Sequence, residues 1–183
     1  PKPLTKISEE EKRFDLPMGW GWERIGTVFN GGSGTTPLRS KKHYFTNGTE
    51  YWFKTTDLNL SIVLNGEEKI TKQAVEECNL TYYPKHTVCI AMYGGGGTIG
   101  KSGMLGVAST INQSVFALPP IEYFNSCFLH LYVKSVRRMW MGFAAGLRKD
   151  PNINGLIIKK MLIPIPPFQE PHRIVTKVDE LMQ

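Results

Sequence analysis

Two short stretches of this chain have the residue types and spacing of catalytic loops. Gly95-Gly96-Gly97-Thr98-Ile99-Gly100-Lys101-Ser102 fits the phosphate-loop pattern, GxxxxGK followed by Ser or Thr. In that pattern backbone N–H groups cradle the phosphates, the Lys meets their charge and the hydroxyl holds magnesium. The chemistry also needs a helix starting at the Lys and a second strand ending in Asp. Here Lys101 is followed by Ser102-Gly103-Met104-Leu105-Gly106-Val107, whose glycines and alternation predict a strand. Asp57 and Asp179 have the wrong settings for the metal. The expectation is a glycine hairpin that brings a Lys and free amides to a surface. A nucleotide-binding protein using Gly95–Ser102 is the alternative.

The second stretch, Ile165-Pro166-Pro167-Phe168, is similar to the Asn/Asp-Pro-Pro-Tyr/Phe loop of amino-methyltransferases. That loop needs a side-chain oxygen at its first position to accept a hydrogen bond from the target amine, and isoleucine has none. No glycine-rich loop for S-adenosylmethionine precedes it. The diprolyl turn reads instead as a rigid bridge between a strand and a terminal helix. Cys78, Cys89 and Cys127 are odd in number and widely spaced, and His43, His86, His130 and His172 lie far apart. Buried thiols in a reducing compartment are expected, without zinc or disulfides.

The elements that would position these loops can be read from pattern. Ser8 and Glu11 suit a short capped helix. Glu23 to Phe29 reads as a short helix or strand, and residues 30–50 as a long irregular region. Tyr51 to Thr56, Thr87 to Tyr93, Met104 to Ala108 and Ser114 to Leu118 predict strands. Thr71 to Leu80 reads as a short helix. Asn125 to Ala145 predicts one long helix with Ser126 as a possible N-cap, placing Lys134, Arg137 and Arg138 on one face. Leu156 to Ile165 is apolar. From Phe168 onward Ile174, Val178 and Leu181 recur at helical spacing, with Pro171 tolerable only in the first turn. Trp20, Trp22 and Trp52 read as core anchors.

Length and charge bound the rest. The 183 residues suit one domain or a domain plus an appendage, and 41% hydrophobic with 21% charged residues is an ordinary globular mixture. No run of about 18 apolar residues is present. The net charge is +6, and it is segregated. Residues 1–77 and 150–183 are each neutral, whereas residues 78–149 hold seven basic side chains and only Glu122 as acid. A segregated surplus attracts polyanions such as a duplex. Pro1 at the start, and a helical pattern still running at Gln183, suggest a piece of a longer protein.

Taken in order, the landmarks carry a resemblance. They are Leu16-Pro17-x-Gly19-Trp20-x-Trp22, Thr36-Pro37, Gly48 before Tyr51-Trp52, Asp57-Leu58, Ile70-Thr71, Thr98-Ile99-Gly100-Lys101, Asn112-Gln113, and Ile163-Pro164-Ile165-Pro166-Pro167-x-x-Glu170-x-x-Arg173-Ile174-Val175. Residues 14 to 183 resemble a target recognition domain of the specificity subunit of type I restriction-modification enzymes. Pro171 departs from the family, which usually has Gln after the Glu. The glycine loops at Gly31–Gly34 and Gly94–Gly97 are enlarged.

The resemblance implies an α/β (α+β) fold, a mixed twisted sheet with flanking helices. Residues 1–15 would be a lead-in, 16–166 the recognition domain and 167–183 the start of a long spacer helix. It implies a non-catalytic subunit that reads one half of a bipartite DNA target. Modification subunits carrying S-adenosylmethionine would methylate adenine, and motor-nuclease subunits using ATP and Mg2+ would cleave. This chain would bind no cofactor itself, and its place would be the prokaryotic cytoplasm, on the nucleoid. Phosphate contacts are expected from Arg39, Lys41, Lys42, Lys101, Arg148 and Lys149. Base reading is expected from Thr35, Thr36, Ser40, His43 and Tyr93. Asn112 and Gln113 are expected to bond internally. Ile174, Val178 and Leu181 would pair with a second spacer helix, on another recognition domain or a second copy.

Overall fold

The computed structural model describes residues 4–94, 97–144 and 153–182. Its elements, in chain order, begin with β1 (Gly21–Arg24), α1 (Ile25–Val28), β2 (Gly32–Ser33), β3 (Glu50–Phe53), β4 (Ile62–Val63), β5 (Lys69–Ile70), α2 (Lys72–Glu77) and β6 (Val88–Ala91). There follow β7 (Ser102–Leu105), β8 (Thr110–Ile111), β9 (Val115–Leu118), α3 (Ser126–Ser135), α4 (Arg137–Ala144), α5 (Gly155–Lys160), β10 (Leu162–Ile165) and α6 (Glu170–Leu181). The expected mixed α+β architecture is present, with the strands divided among three sheets.

The central sheet runs β2-β9-β6-β7-β4. Its pairings are antiparallel except β4 with β7. Period-two alternation sorts its side chains between two cores. Val88, Ile90, Met104, Phe116 and Leu118 pack on one side with Leu129, Val133 and Trp140 of the helices. Cys89, Ala91, Leu105, Val115 and Ala117 pack on the other with Phe53, Leu58 and Ile111. Both faces are covered, so β6, β7 and β9 are buried along their whole length, and β6 and β9 read as apolar runs. A second sheet, β5-β3-β8, carries a small core of Tyr44, Trp52, Ile70, Ala74, Val75 and Leu80.

Two sequence expectations need correction. The helix expected over 125–145 breaks at Val136, whose backbone (φ −90, ψ 5) ends α3 before α4 starts at Arg137. Lys134 therefore does not share a continuous helical face with Arg137 and Arg138. The cap is Asn125, not Ser126: its side chain accepts the Phe128 N–H at 3.0 Å. The segment from Glu23 is both strand and helix, since β1 leads directly into α1. Residues 156–165 likewise divide into α5 and β10.

The ends of the domain meet. β1 pairs antiparallel with β10, Gly21 opposite Ile165 and Arg24 opposite Leu162. Beyond the diprolyl turn α6 begins, with Pro171 in its first turn where its missing N–H costs nothing. Ile174 and Val175 pack against the core, whereas Leu181 and Met182 are exposed. Trp20 and Trp22 are partly buried against the same core and Trp52 is fully buried. The three cysteines are free thiols.

One buried group carries a pH dependence. His130 on α3 is 6% exposed and its Nε2 has no hydrogen-bond partner among the described residues. Burial, with the nearby Lys134 charge, pushes its pKa down from 6.5 to about 4. The unfolded chain takes up this proton below pH 6.5 and the native protein does not, so stability falls as the pH drops from 6.5 towards 4. The full effect is on the order of 3 kcal/mol. Urea unfolding at pH 7 and pH 4.5 should show a smaller acid-induced loss in His130→Leu than in the wild type. Equal losses in the two proteins would contradict this.

Candidate nucleic-acid interface

Strand register decides which loops come together. Ser33 lies opposite Phe116, and the next N–H, of Gly34, donates to the Val115 carbonyl. Val115 lies opposite Ala91, whose N–H donates to the Lys101 carbonyl at 2.8 Å. Met92 N–H donates to Ser114, and Leu60 N–H to Ser102. The end of β2, the start of β9, the end of β6 and the start of β7 therefore form one row at a single end of the central sheet. Four strands at about 4.8 Å spacing make this row about 14 Å wide, close to the roughly 12 Å width of a DNA major groove.

Thr35, Thr36, Tyr93 and Lys101 stand at this end. Thr35 is exposed, and its backbone is fixed by its N–H to the Ile111 carbonyl and by its own carbonyl, which accepts from the Trp52 indole at 3.0 Å. The Thr36 hydroxyl is hydrogen-bonded to the Gln113 amide oxygen, while Asn112 Oδ1 accepts the Ser114 N–H at 3.1 Å. Both amides thus bond internally, as their sequence reading anticipated. Tyr93 is 45% exposed. Gly34 makes the crossing possible, because a Cβ there would lie 1.9 Å from the Ile111 carbonyl oxygen. On the far side Gly100 adopts φ +71 against Trp140, and the Arg137 guanidinium donates to the Gly97 carbonyl.

From Thr35 the chain continues onto the three-stranded sheet, carrying Arg39, Ser40, Lys41, Lys42 and His43. All five are exposed, and their charges differ in availability. Arg39 grips both carboxylate oxygens of Glu68, with Nη2 at 2.8 Å from Oε2. That grip holds the Glu68 carboxyl below the usual carboxylate range. Lys41 donates to the Tyr44 hydroxyl at 2.8 Å, and that hydroxyl donates to Glu77 at 2.6 Å. The bond to Tyr44 raises the Lys41 pKa. Lys42 and Lys101 have no side-chain ion pair or hydrogen bond among the described residues. Arg148 and Lys149 lie outside the described residues.

Sequence reading missed the acids. Glu68 and Glu77 meet Arg39 and Lys41 of the loop. No linear signal marks a pair 29 positions apart. The phosphate-loop alternative fails on geometry: β7 starts at Ser102 where a nucleotide site needs a helix. Among the described residues no group of three or more His, Cys, Asp or Glu could hold a metal ion, and no helix is long and apolar enough to cross a membrane.

The fold is a mixed-sheet domain with a row of loop ends at one end of its central sheet, Lys101 among them, and Lys42 on the segment that leads to the second sheet. The chain is a member of the type I restriction modification DNA specificity domain family, whose description matches residues 17–183. It is 26% identical over 188 residues to the type I restriction enzyme EcoprrI specificity subunit of Escherichia coli, covering 98% of this chain and 45% of that one. It is 26% identical over 165 residues to the MjaIX specificity subunit of Methanocaldococcus jannaschii, covering 88% of this chain and 37% of that one. Its fold matches the HsdS subunit from Thermoanaerobacter tengcongensis with a TM-score of 0.72 at 23% identity, over 93% of this chain and 39% of that one. The chain spans less than half the length of these relatives.

Proposed function

We propose that this chain reads one half of a bipartite DNA target within a type I restriction-modification enzyme. The observation that carries the reading is the row of loop ends at one end of the central sheet, about as wide as a major groove. Lys42 and Lys101 supply affinity through phosphates, and Thr35, Ser40, His43 and Tyr93 meet base edges. Thr36, held by Gln113, shapes the loop as well as facing the groove. Arg148 and Lys149 remain phosphate candidates on their position beyond the helices. The chain itself is non-catalytic. It directs adenine methylation and cleavage by modification and motor-nuclease subunits, which carry S-adenosylmethionine, ATP and Mg2+ in the cytoplasm.

Helix α6 has the second role, as the start of the spacer. Ile174 is already half-covered by the domain, so Val178, Leu181 and the adjoining Met182 offer the open part of the stripe to a second spacer helix.

In the complete specificity subunit assembled with its modification subunits, Lys42→Glu or Lys101→Glu should weaken binding on all duplexes. The loss should be about tenfold or more at low salt, with a shallower salt dependence. Unchanged affinity in both variants would refute the assignment of phosphate contacts. For the isolated chain, analytical ultracentrifugation over a concentration series should show self-association that Leu181→Asp abolishes. A monomer at every concentration, in both proteins, would contradict the spacer role.

A further inference from the structure

Two carboxylates beside a loop that meets a polyanion need a physical reason to be there. Glu67 and Glu68 lie next to the Arg39 loop, and the structure binds them into a continuous support. Asp57 accepts the Lys54 N–H at 2.7 Å and the Glu67 N–H at 3.0 Å, fixing the acidic turn to the end of β3. The Lys54 ammonium lies 3.0 Å from Glu67 and 3.4 Å from Glu68. Both Glu68 oxygens hold Arg39, and the Arg39 guanidinium sits 4.4 Å from the Phe45 ring centroid and 5.3 Å from that of Trp52. Trp52, buried beneath, holds the Thr35 carbonyl. Asp57, Glu67 and Glu68 outweigh Lys54 and Arg39 by one negative charge, so this support contributes no net attraction to DNA.

The geometry points to Arg39 as a positioning residue for DNA reading, pinned between Glu68 and the Phe45 and Trp52 rings so that Ser40, Lys42 and His43 face outward. This inference rests on the DNA-reading proposal and revises the expectation that Arg39 is a phosphate contact. A planar guanidinium is required, because it alone can meet a carboxylate with two parallel bonds while lying over an aromatic face. A lysine keeps the charge but cannot make two parallel bonds to the carboxylate while lying flat on the rings. The Arg39 side chain is 54% exposed and Glu68 25%, so substitutions at either leave the cores intact.

The test compares Glu68→Gln and Arg39→Lys in the complete subunit assembled with its modification subunits. Binding is measured across salt concentrations on a duplex carrying the site that the enzyme methylates and on a scrambled duplex, with thermal melts to establish folding. If Arg39 positions the loop, both variants bind the cognate duplex about tenfold more weakly, within the usual range for a disturbed base contact. Scrambled-duplex affinity and the salt slope then stay at wild-type values. Glu68→Gln is the decisive variant, since removing a negative charge near DNA raises affinity on every duplex if only electrostatics act. Such a rise, or wild-type behaviour of Arg39→Lys with Arg39→Ala lowering the salt slope by about one, overturns the inference. Failure of the wild type to prefer either duplex sinks the DNA-reading proposal and this inference together. A wild-type preference that both variants retain in full sinks this inference alone.

Discussion

The antiparallel pairing of β1 with β10 is the constraint on which the rest of the molecule depends. It joins segments about 140 positions apart and closes everything between them into one loop with adjacent ends. Arg24 reinforces the seam. Its guanidinium, 3% exposed, donates to the Lys160 carbonyl at 2.6 Å, the Thr5 carbonyl at 2.8 Å and the Glu11 carboxylate at 3.0 Å. A buried guanidinium is tolerable only when its donors are satisfied this fully. The arrangement binds the lead-in segment, β1 and the end of α5 together. It also sets where α6 departs, because Pro166-Pro167 follows β10 directly and Ile174 and Val175 return to the core.

With its ends fixed, the domain gathers its loop termini at one end of the central sheet. Buried β6, β7 and β9 hold the loop termini at strand spacing, and neighbouring loops then share one surface although they are far apart in sequence. Charge is distributed by the same logic. Some cations are committed inside the protein: Arg39 to Glu68, Lys54 to Glu67 and Glu68, and Arg137 to the Gly97 carbonyl. Lys42 and Lys101 remain unpaired among the described residues. Net charge therefore overstates what is available to a phosphate backbone, and pairing decides which lysines can reach it.

The legible parts of the sequence were those governed by local periodicity. Apolar runs marked β6 and β9. The glycines and alternation after Lys101 marked a strand where β7 lies, though its start was read at Met104 and not at Ser102. The place of Pro171 followed from known helix-end chemistry. The glycine hairpin and the diprolyl bridge were both readable because each motif lacked a group its chemistry requires. What escaped was non-local. The break at Val136 lies in a segment whose apolar spacing suits one helix, and Asn125 and Ser126 are adjacent residues of similar capping strength. The partnership of Arg39 with Glu68 depends on β3 and β5 lying side by side, which no spacing encodes. The grouping of Thr35, Tyr93 and Lys101 became visible only with the strand register.

The claim that the sheet end is the DNA-reading surface is tested most directly by hydrogen–deuterium exchange on the assembled enzyme, with and without a cognate duplex. The account predicts protection of residues 33–44, 92–94, 97–101 and 112–114, and unchanged exchange in β1 and β10. Protection confined to residues 155–182, with those loops exchanging as in the free enzyme, would contradict it.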